Sequence, residues 1–221
     1  MSPENASIVA LSDTIGAFFG LSWGMVTIRD AHDDDVEAIT ALYDRYIATR
    51  TIEWTERHHT VAGRRTWLAD KRRGGWPVLV AEVGAEEARA DGVRSDASDV
   101  GSDADDGHTD REAHTRRVVG VATYGDFRDS VQREGYRFTV EHTVHVDERT
   151  RGLGVGRALM EALVARAQAA GLHAMIGAVD GENHESIAFH ERLGFAEVGR
   201  LPEVGRKFDR WLDLVLMQRT L

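Results

Sequence analysis

The chain has 221 residues, 42% of them hydrophobic, and a formal net charge of −10. That is enough apolar residue to build a real core in one large domain or two small ones, and the acidic balance argues against a sequence-independent grip on nucleic acid. Cysteine is absent, which excludes disulfides, thiolate zinc sites and cysteine nucleophiles.

Residues 1–24 are fairly apolar, but Ser12 and Asp13 interrupt the run and no basic segment precedes it. It is too short and too broken to span a membrane, and it lacks the form of a signal peptide. We read it as a dispensable extension ahead of Met25, with an extra packing helix as the alternative. The folded domain is then expected over 25–221. "MVTIRDA" (25–31) reads as a strand, and 32–50 as a helix that Asp33 or Asp34 can cap. Val36, Ile39, Tyr43, Tyr46 and Ile47 fall on one face of that helix. A second helix is expected over 60–72 and a strand over 76–83, with Pro77 at its start. Residues 84–117 carry ten acidic and five basic residues with almost nothing apolar. Such a segment cannot offset its ordering entropy, so it is predicted to be a disordered insertion between two hairpin-neighbour strands.

Strands are expected at 117–127 and 136–146, the latter with Phe138, Val140, Val144 and Val146 on one face. A helix over 155–170 turns Leu159, Met160, Leu163, Val164 and Ala167 to the core, and Gly171 stops it. A strand at 173–180, a helix ending at Gly194 and strands at 195–200 and 208–221 complete the chain. Adjacent strand pairs and βαβ units together predict an α/β fold with a mixed, twisted sheet and helices on both faces.

The segment Arg151-Gly152-Leu153-Gly154-Val155-Gly156 links a strand to a helix. Glycines let the backbone present N–H groups, and the helix start adds its dipole, a combination that binds phosphate; a glycine-rich turn that binds nothing is the alternative. Arg149, Arg151 and Arg157 add positive charge. The dinucleotide pattern GxGxxG would need glycine at Arg157, and no GK[ST] follows. Glu141 is a carboxylate in the middle of the strand feeding this loop. It is either a base or a solvent-facing glutamate sharing a face with Thr139, Thr143 and His145.

The pattern RxxGxG at 151–156 resembles the pyrophosphate loop of the GNAT superfamily of acetyl-CoA-dependent N-acetyltransferases. "NHESIAFHERLGF" (183–195) resembles that family's closing motif. More narrowly, "FR" (127–128), "GYRFTVEHTVHV" (135–146), "AFHERLGF" (188–195) and "VGRKFDRWLD" (204–213) resemble the phosphinothricin acetyltransferase branch. The resemblance implies acetyl-CoA as acetyl donor, no metal, a homodimer and a cytoplasmic enzyme with neither nucleic acid nor membrane as partner. The implied acceptor is a small amine of the phosphinothricin, methionine sulfoximine or methionine sulfone type. It puts Glu141 at the catalytic base. His190 stands where many members have a tyrosine proton donor. Arg151, Gly152, Leu153, Gly154, Val155, Gly156 and Arg157 would grip the pyrophosphate, and the backbone of Val144, His145 and Val146, with Asn183 and Ser186, the pantetheine arm. Arg128, Tyr136 and Lys207 are the expected acceptor contacts. A protein or peptide acetyltransferase and a non-catalytic acetyl-CoA sensor are the rival functions.

Overall fold

The computed structural model describes residues 21–23, 26–84 and 116–221. Eight strands form one sheet in the order β1-β2-β3-β4-β5-β6-β8-β7. They are β1 (Leu21–Trp23), β2 (Val26–Asp30), β3 (Val78–Val83), β4 (Arg117–Asp126), β5 (Thr139–Val146), β6 (Ala174–Asp180), β7 (Ala196–Lys207) and β8 (Arg210–Thr220). Among the described residues four α-helices accompany them: α1 (Val36–Thr49), α2 (Val61–Arg73), α3 (Val155–Ala169) and α4 (His184–Arg192). Every strand pair is antiparallel except β5–β6.

Local signals set these elements. The five apolar positions expected on α1 are all buried. A tight turn at Asp33–Asp35 leads into α1, and Asp35 rather than Asp33 or Asp34 accepts the His32 amide at 2.7 Å. Asp35 also holds Arg29, whose guanidinium reaches on to Glu82 at 2.5 Å. Thr60 caps α2 by accepting from the Gly63 amide at 3.0 Å. Gly171 and Gly194 take φ of +70° and +82° after α3 and α4, where an L side chain would be strained.

The sheet is covered on both faces. α3 lays Leu159, Met160, Leu163 and Ala167, all at most 2% exposed, against Val26, Ile28, Leu79, Val119 and Val140. Partly buried Ile187 and Phe189 of α4 join that side. On the other face α1 and α2 cover Val78, Val80 and Val121 with Val36, Ile39, Leu42 and Leu68. Gly120 of β4 brings α3 close, because a Cβ there would sit 2.8 Å from Leu159 Cδ1. Truncating Leu163, fully buried here, to alanine should cost on the order of 2–5 kcal/mol.

The structure adjusts several expectations. The extension read as dispensable ends in a strand, since Leu21–Trp23 pairs with β2; residues 1–20 lie outside the described residues. β3 and β4 are antiparallel neighbours, as expected of a hairpin, and 85–115 of the insertion likewise lie outside the described residues. Arg117 begins β4, as the strand expected from 117 requires, so the insertion stops short of it. β5 starts at Thr139, because the chain turns tightly at Glu134–Tyr136, and Phe138 is 45% exposed instead of sharing the core face. β7 runs seven residues past the expected end at Arg200 despite Pro202. It is the outer strand, and its register shifts between Leu201 and Gly205, the setting in which a strand tolerates proline.

Asp147, 1% exposed, ties the end of β5 to its surroundings. It accepts from Arg45 at 2.7 Å, Arg117 at 2.9 Å and Arg149 at 2.6 Å. Burial alone would raise its pKa, but the Arg149 hydrogen bonds and the neighbouring charges bring it down to about 2. A depressed carboxyl stabilises the fold above its unfolded pKa of roughly 3.9, and the contribution is lost as pH falls through the folded value. Asp147→Asn should therefore lose about 2 kcal/mol in urea unfolding at pH 7. The gap from the parent should narrow below about pH 4.

Candidate active site

The site grows out of one interruption in the sheet. β5 and β6 pair only from Thr139–Ala174 to His142–Gly177. Beyond that rung β5 stays bonded to β4 as far as Val146, and β6 to β8 as far as Asp180. The two strands therefore diverge into a wedge whose vertex is His142–Gly177. Antiparallel bonding alternates along a strand. Phe127 N donates to Thr139 O and Asp147 N to Val119 O, so the odd residues of β5 bond to β4. The amides of Val144 and Val146 consequently face the wedge, where they have no strand partner among the described residues. The Val146 carbonyl there accepts from the Tyr46 hydroxyl.

The glycine loop lies at the wide end. Gly152 and Gly154 have φ of +84° and +76°, and nothing lies within 4 Å of where their Cβ atoms would be. The loop is therefore an open cradle in a conformation that glycine adopts freely. Gly154 caps α3, whose first turn begins at Val155, so its amides and dipole point into the cradle. Arg151 is exposed and only loosely engaged by Glu148 and Glu185, at 3.6 and 3.4 Å. This donor set fits the pyrophosphate and amide arm of acetyl-CoA.

Glu141 projects from the odd face of β5, one rung short of the vertex. It is half-buried; burial raises its pKa, and Arg128 partly opposes the rise. A carboxylate so placed is a better proton acceptor than an exposed one. Arg128 is exposed, its guanidinium 5.2 Å from the centre of the Phe127 ring, and the Tyr136 ring meets Phe127 edge-on at 6.1 Å. On the opposite face, His190 Nδ1 lies 2.6 Å from the Ser186 carbonyl. A carbonyl only accepts, so Nδ1 carries the proton and Nε2 presents a lone pair. Burial lowers the His190 pKa. The proton donor expected at position 190 is thus a neutral acceptor at Nε2. Asn183 caps α4 by accepting from the Ser186 amide at 3.1 Å, which leaves its amide hydrogens for another partner.

Three expected contacts have other work. His145 bonds to β4 through its backbone, by the same alternation, and its ring Nε2 meets Glu53 at 2.7 Å. Arg157 pairs with Glu161 at 2.7 Å along α3. Lys207 is 2% exposed, and its ammonium donates to the carbonyls of Arg50 at 2.6 Å and Glu53 at 2.7 Å. Here it holds a strap. That strap, residues 50–56, went unread in the sequence because it has no periodicity. Thr51 bonds Asp180 at the end of β6, Glu53 bonds His145 on β5, and Glu56 accepts from the Phe208 amide at 3.2 Å. It spans the two diverging strands on the Glu141 face. Trp54 lies flat on Gly205, where a Cβ would collide with its ring. An open depression at Asp30–Asp34 lies elsewhere, and its Arg72 is held by Asp33 and the Ala31 carbonyl.

Gly154→Val should strain a left-handed position and obstruct the cradle. Isothermal calorimetry on the folded variant should show acetyl-CoA affinity reduced by about tenfold or more, as expected from loss of several backbone hydrogen bonds; unchanged affinity would move the cofactor elsewhere.

Known proteins share this arrangement. Residues 86–195 match the acetyltransferase (GNAT) family model. The chain is 38% identical to an L-methionine sulfoximine/L-methionine sulfone acetyltransferase of Pseudomonas aeruginosa, over 88% of this chain and 94% of that one. It is 33% identical to a phosphinothricin N-acetyltransferase of Alcaligenes faecalis, over 88% and 82%. An acetyltransferase of Salmonella typhimurium, solved with its cofactor acetyl-CoA, superposes with a TM-score of 0.71 at 32% identity, over 90% of this chain and 95% of that one. With a wedge between β5 and β6, a glycine cradle at the start of α3 and relatives aligned over nearly the whole chain, this protein belongs to the GNAT family of N-acetyltransferases.

Proposed function

We propose that the acceptor is the α-amine of a small amino acid carrying a sulfone, sulfoximine or phosphinate group, and that Glu141 is the base. The observation that carries this reading is the half-buried carboxylate of Glu141 beside the wedge, on the sheet face that the strap crosses between His145 and Asp180. A peptide acceptor would need an open groove across that face. The activities for which the relatives from Pseudomonas aeruginosa and Alcaligenes faecalis are named agree with a small acceptor.

In the proposed reaction Glu141 removes a proton from the acceptor ammonium, directly or through water. The amine nitrogen attacks the thioester carbonyl carbon. The Val144 amide, facing the wedge, donates to the developing oxyanion. The carbon–sulfur bond then breaks with its electron pair going to sulfur, and the acetyl group stays on nitrogen, which releases its one remaining excess proton to water. Arg128, with no ion-pair partner among the described residues, is available to the acceptor carboxylate, and Tyr136 lines the same loop. No step calls for a metal. Acetyl-CoA dependence also supports a cytoplasmic enzyme.

Glu141→Gln keeps the shape and removes the basicity. It should lower kcat with methionine sulfone by roughly a hundred- to ten-thousand-fold, the usual contribution of a general base, with acetyl-CoA affinity nearly unchanged. In the parent, activity should rise with pH through a carboxyl pKa above the ordinary range, and the variant should lack that limb. Near-normal turnover in Glu141→Gln would remove it from the mechanism.

The same enzyme is proposed to be a homodimer joined through β7. This outer strand exposes Val198, Leu201 and Val204, at 55%, 40% and 50%, with Trp211 beside it at 60%, an apolar edge that sheet proteins usually cover. Leu201→Asp should convert a dimer into a monomer in sedimentation equilibrium; a monomeric parent protein would refute the assembly.

A further inference from the structure

His142 follows Glu141 directly but points to the opposite face of β5, and it is the last residue that β5 pairs to β6. It is 6% exposed, and neither ring nitrogen has a partner among the described residues. Its ring stacks on His190, with centroids 5.1 Å apart and planes inclined by 29°. Phe195 closes the pair, edge-on to both rings at 5.3 and 5.4 Å. A Cβ on Gly177 would lie 2.8 Å from His142 Nε2 and 3.1 Å from His190 Nε2. The two nitrogens therefore converge beside the residue where β6 leaves β5.

Burial, with the nearby His190, lowers the His142 pKa to about 3, so the pair is neutral at pH 7. A neutral imidazole carries one N–H and one lone pair. The Ser186 carbonyl fixes the lone pair of His190 on Nε2, and that atom too has no partner among the described residues. Three unpaired ring nitrogens in an apolar interior are costly. An aliphatic or aromatic residue at position 142 would fill the space without that cost, so the polar ring points to a ligand.

We propose that His142 is a positioning residue: its Nε2–H and the Nε2 lone pair of His190 hold one buried water at the wedge vertex, and the free O–H of that water faces the departing sulfur of the cosubstrate. The inference rests on the acetyl-transfer reading, though not on the identity of the acceptor. The water accepts from His142, donates once to His190 and keeps one hydrogen, a normal complement for a buried water. As the carbon–sulfur bond breaks, its electron pair goes to sulfur and the O–H hydrogen-bonds the thiolate. No proton transfers in that step, since a thiol of pKa roughly 8.5 leaves readily as its anion. The water thus supplies the hydrogen bond that a tyrosine hydroxyl at position 190 would have given.

Two substitutions and a crystal structure test this. His142→Phe keeps a ring and removes both nitrogens; His142→Gln keeps an N–H near the Nε2 position. Loss of one hydrogen bond to a developing charge corresponds to about ten- to a hundredfold. His142→Phe should lower kcat by that factor, with KM for acetyl-CoA and the acceptor within about twofold, and His142→Gln should stay within about threefold of the parent. A crystal structure of the parent with CoA should show an ordered water within about 3.2 Å of both Nε2 atoms. A folded Phe variant with parental kcat, a Gln variant no better than Phe, or a vertex without that water would overturn the proposal. If the Phe variant fails to fold, His142→Leu replaces it in the same comparison. Should the parent reject methionine sulfone but acetylate another amine, the acceptor reading fails and the His142 comparison proceeds on that amine.

Discussion

Everything functional in this protein depends on β5 and β6 parting after four rungs. A sheet that stops pairing in its middle leaves backbone donors and acceptors without partners, normally a destabilising arrangement. Here the break is contained. Tyr46 from α1 takes the Val146 carbonyl, Asp147 pins the end of β5 with three arginines, and the strap joins the two diverging strands through Glu53–His145 and Thr51–Asp180. What is left open is a short row of amides and a helix start, and these are the groups that an acyl-CoA arm and its phosphates can satisfy. The local loss of pairing and the capacity to bind the cosubstrate are the same feature.

Charge is organised around that opening. The chain as a whole is acidic, yet the wedge mouth gathers Arg45, Arg117 and Arg149 on one buried aspartate, with Arg50 and Arg151 at Glu148. A carboxylate ringed by guanidinium groups stays ionised and holds like charges together that would otherwise repel. The result is a locally positive mouth near the cradle, rigid because its centre is buried. The Glu53–His145 pair has the same logic: burial disfavours the Glu53 anion, and the hydrogen bond from His145 with the nearby Arg64 outweighs it, so the Glu53 pKa falls.

The two faces of β5 divide the chemistry. The odd face carries Glu141, the proposed base, and the even face carries His142 to meet His190 behind the vertex. Strand geometry makes this division automatic, because adjacent side chains point oppositely. Gly177 is the structural condition for it: any side chain there would push into both imidazoles.

The sequence by itself determined the elements and the cradle. The apolar periods of α1 and α3 and the stops at Gly171 and Gly194 are local properties, and local physics is readable from the residues. Glu141 was legible as a carboxylate in a strand that should not hold one. The glycine spacing at 151–156 was legible because Gly152 and Gly154 take left-handed dihedral angles that glycine adopts without strain. Tertiary structure alone decided which charged groups are free. Lys207 reads as a plausible anion contact until the fold buries it against the carbonyls of Arg50 and Glu53, and His190 reads as an acid until the Ser186 carbonyl fixes its tautomer. The strap has no period to reveal it, since its bonds reach partners about ninety residues and more away. Which face of β5 meets which helix, and where two strands cease to pair, follow from long-range packing that no window of sequence contains.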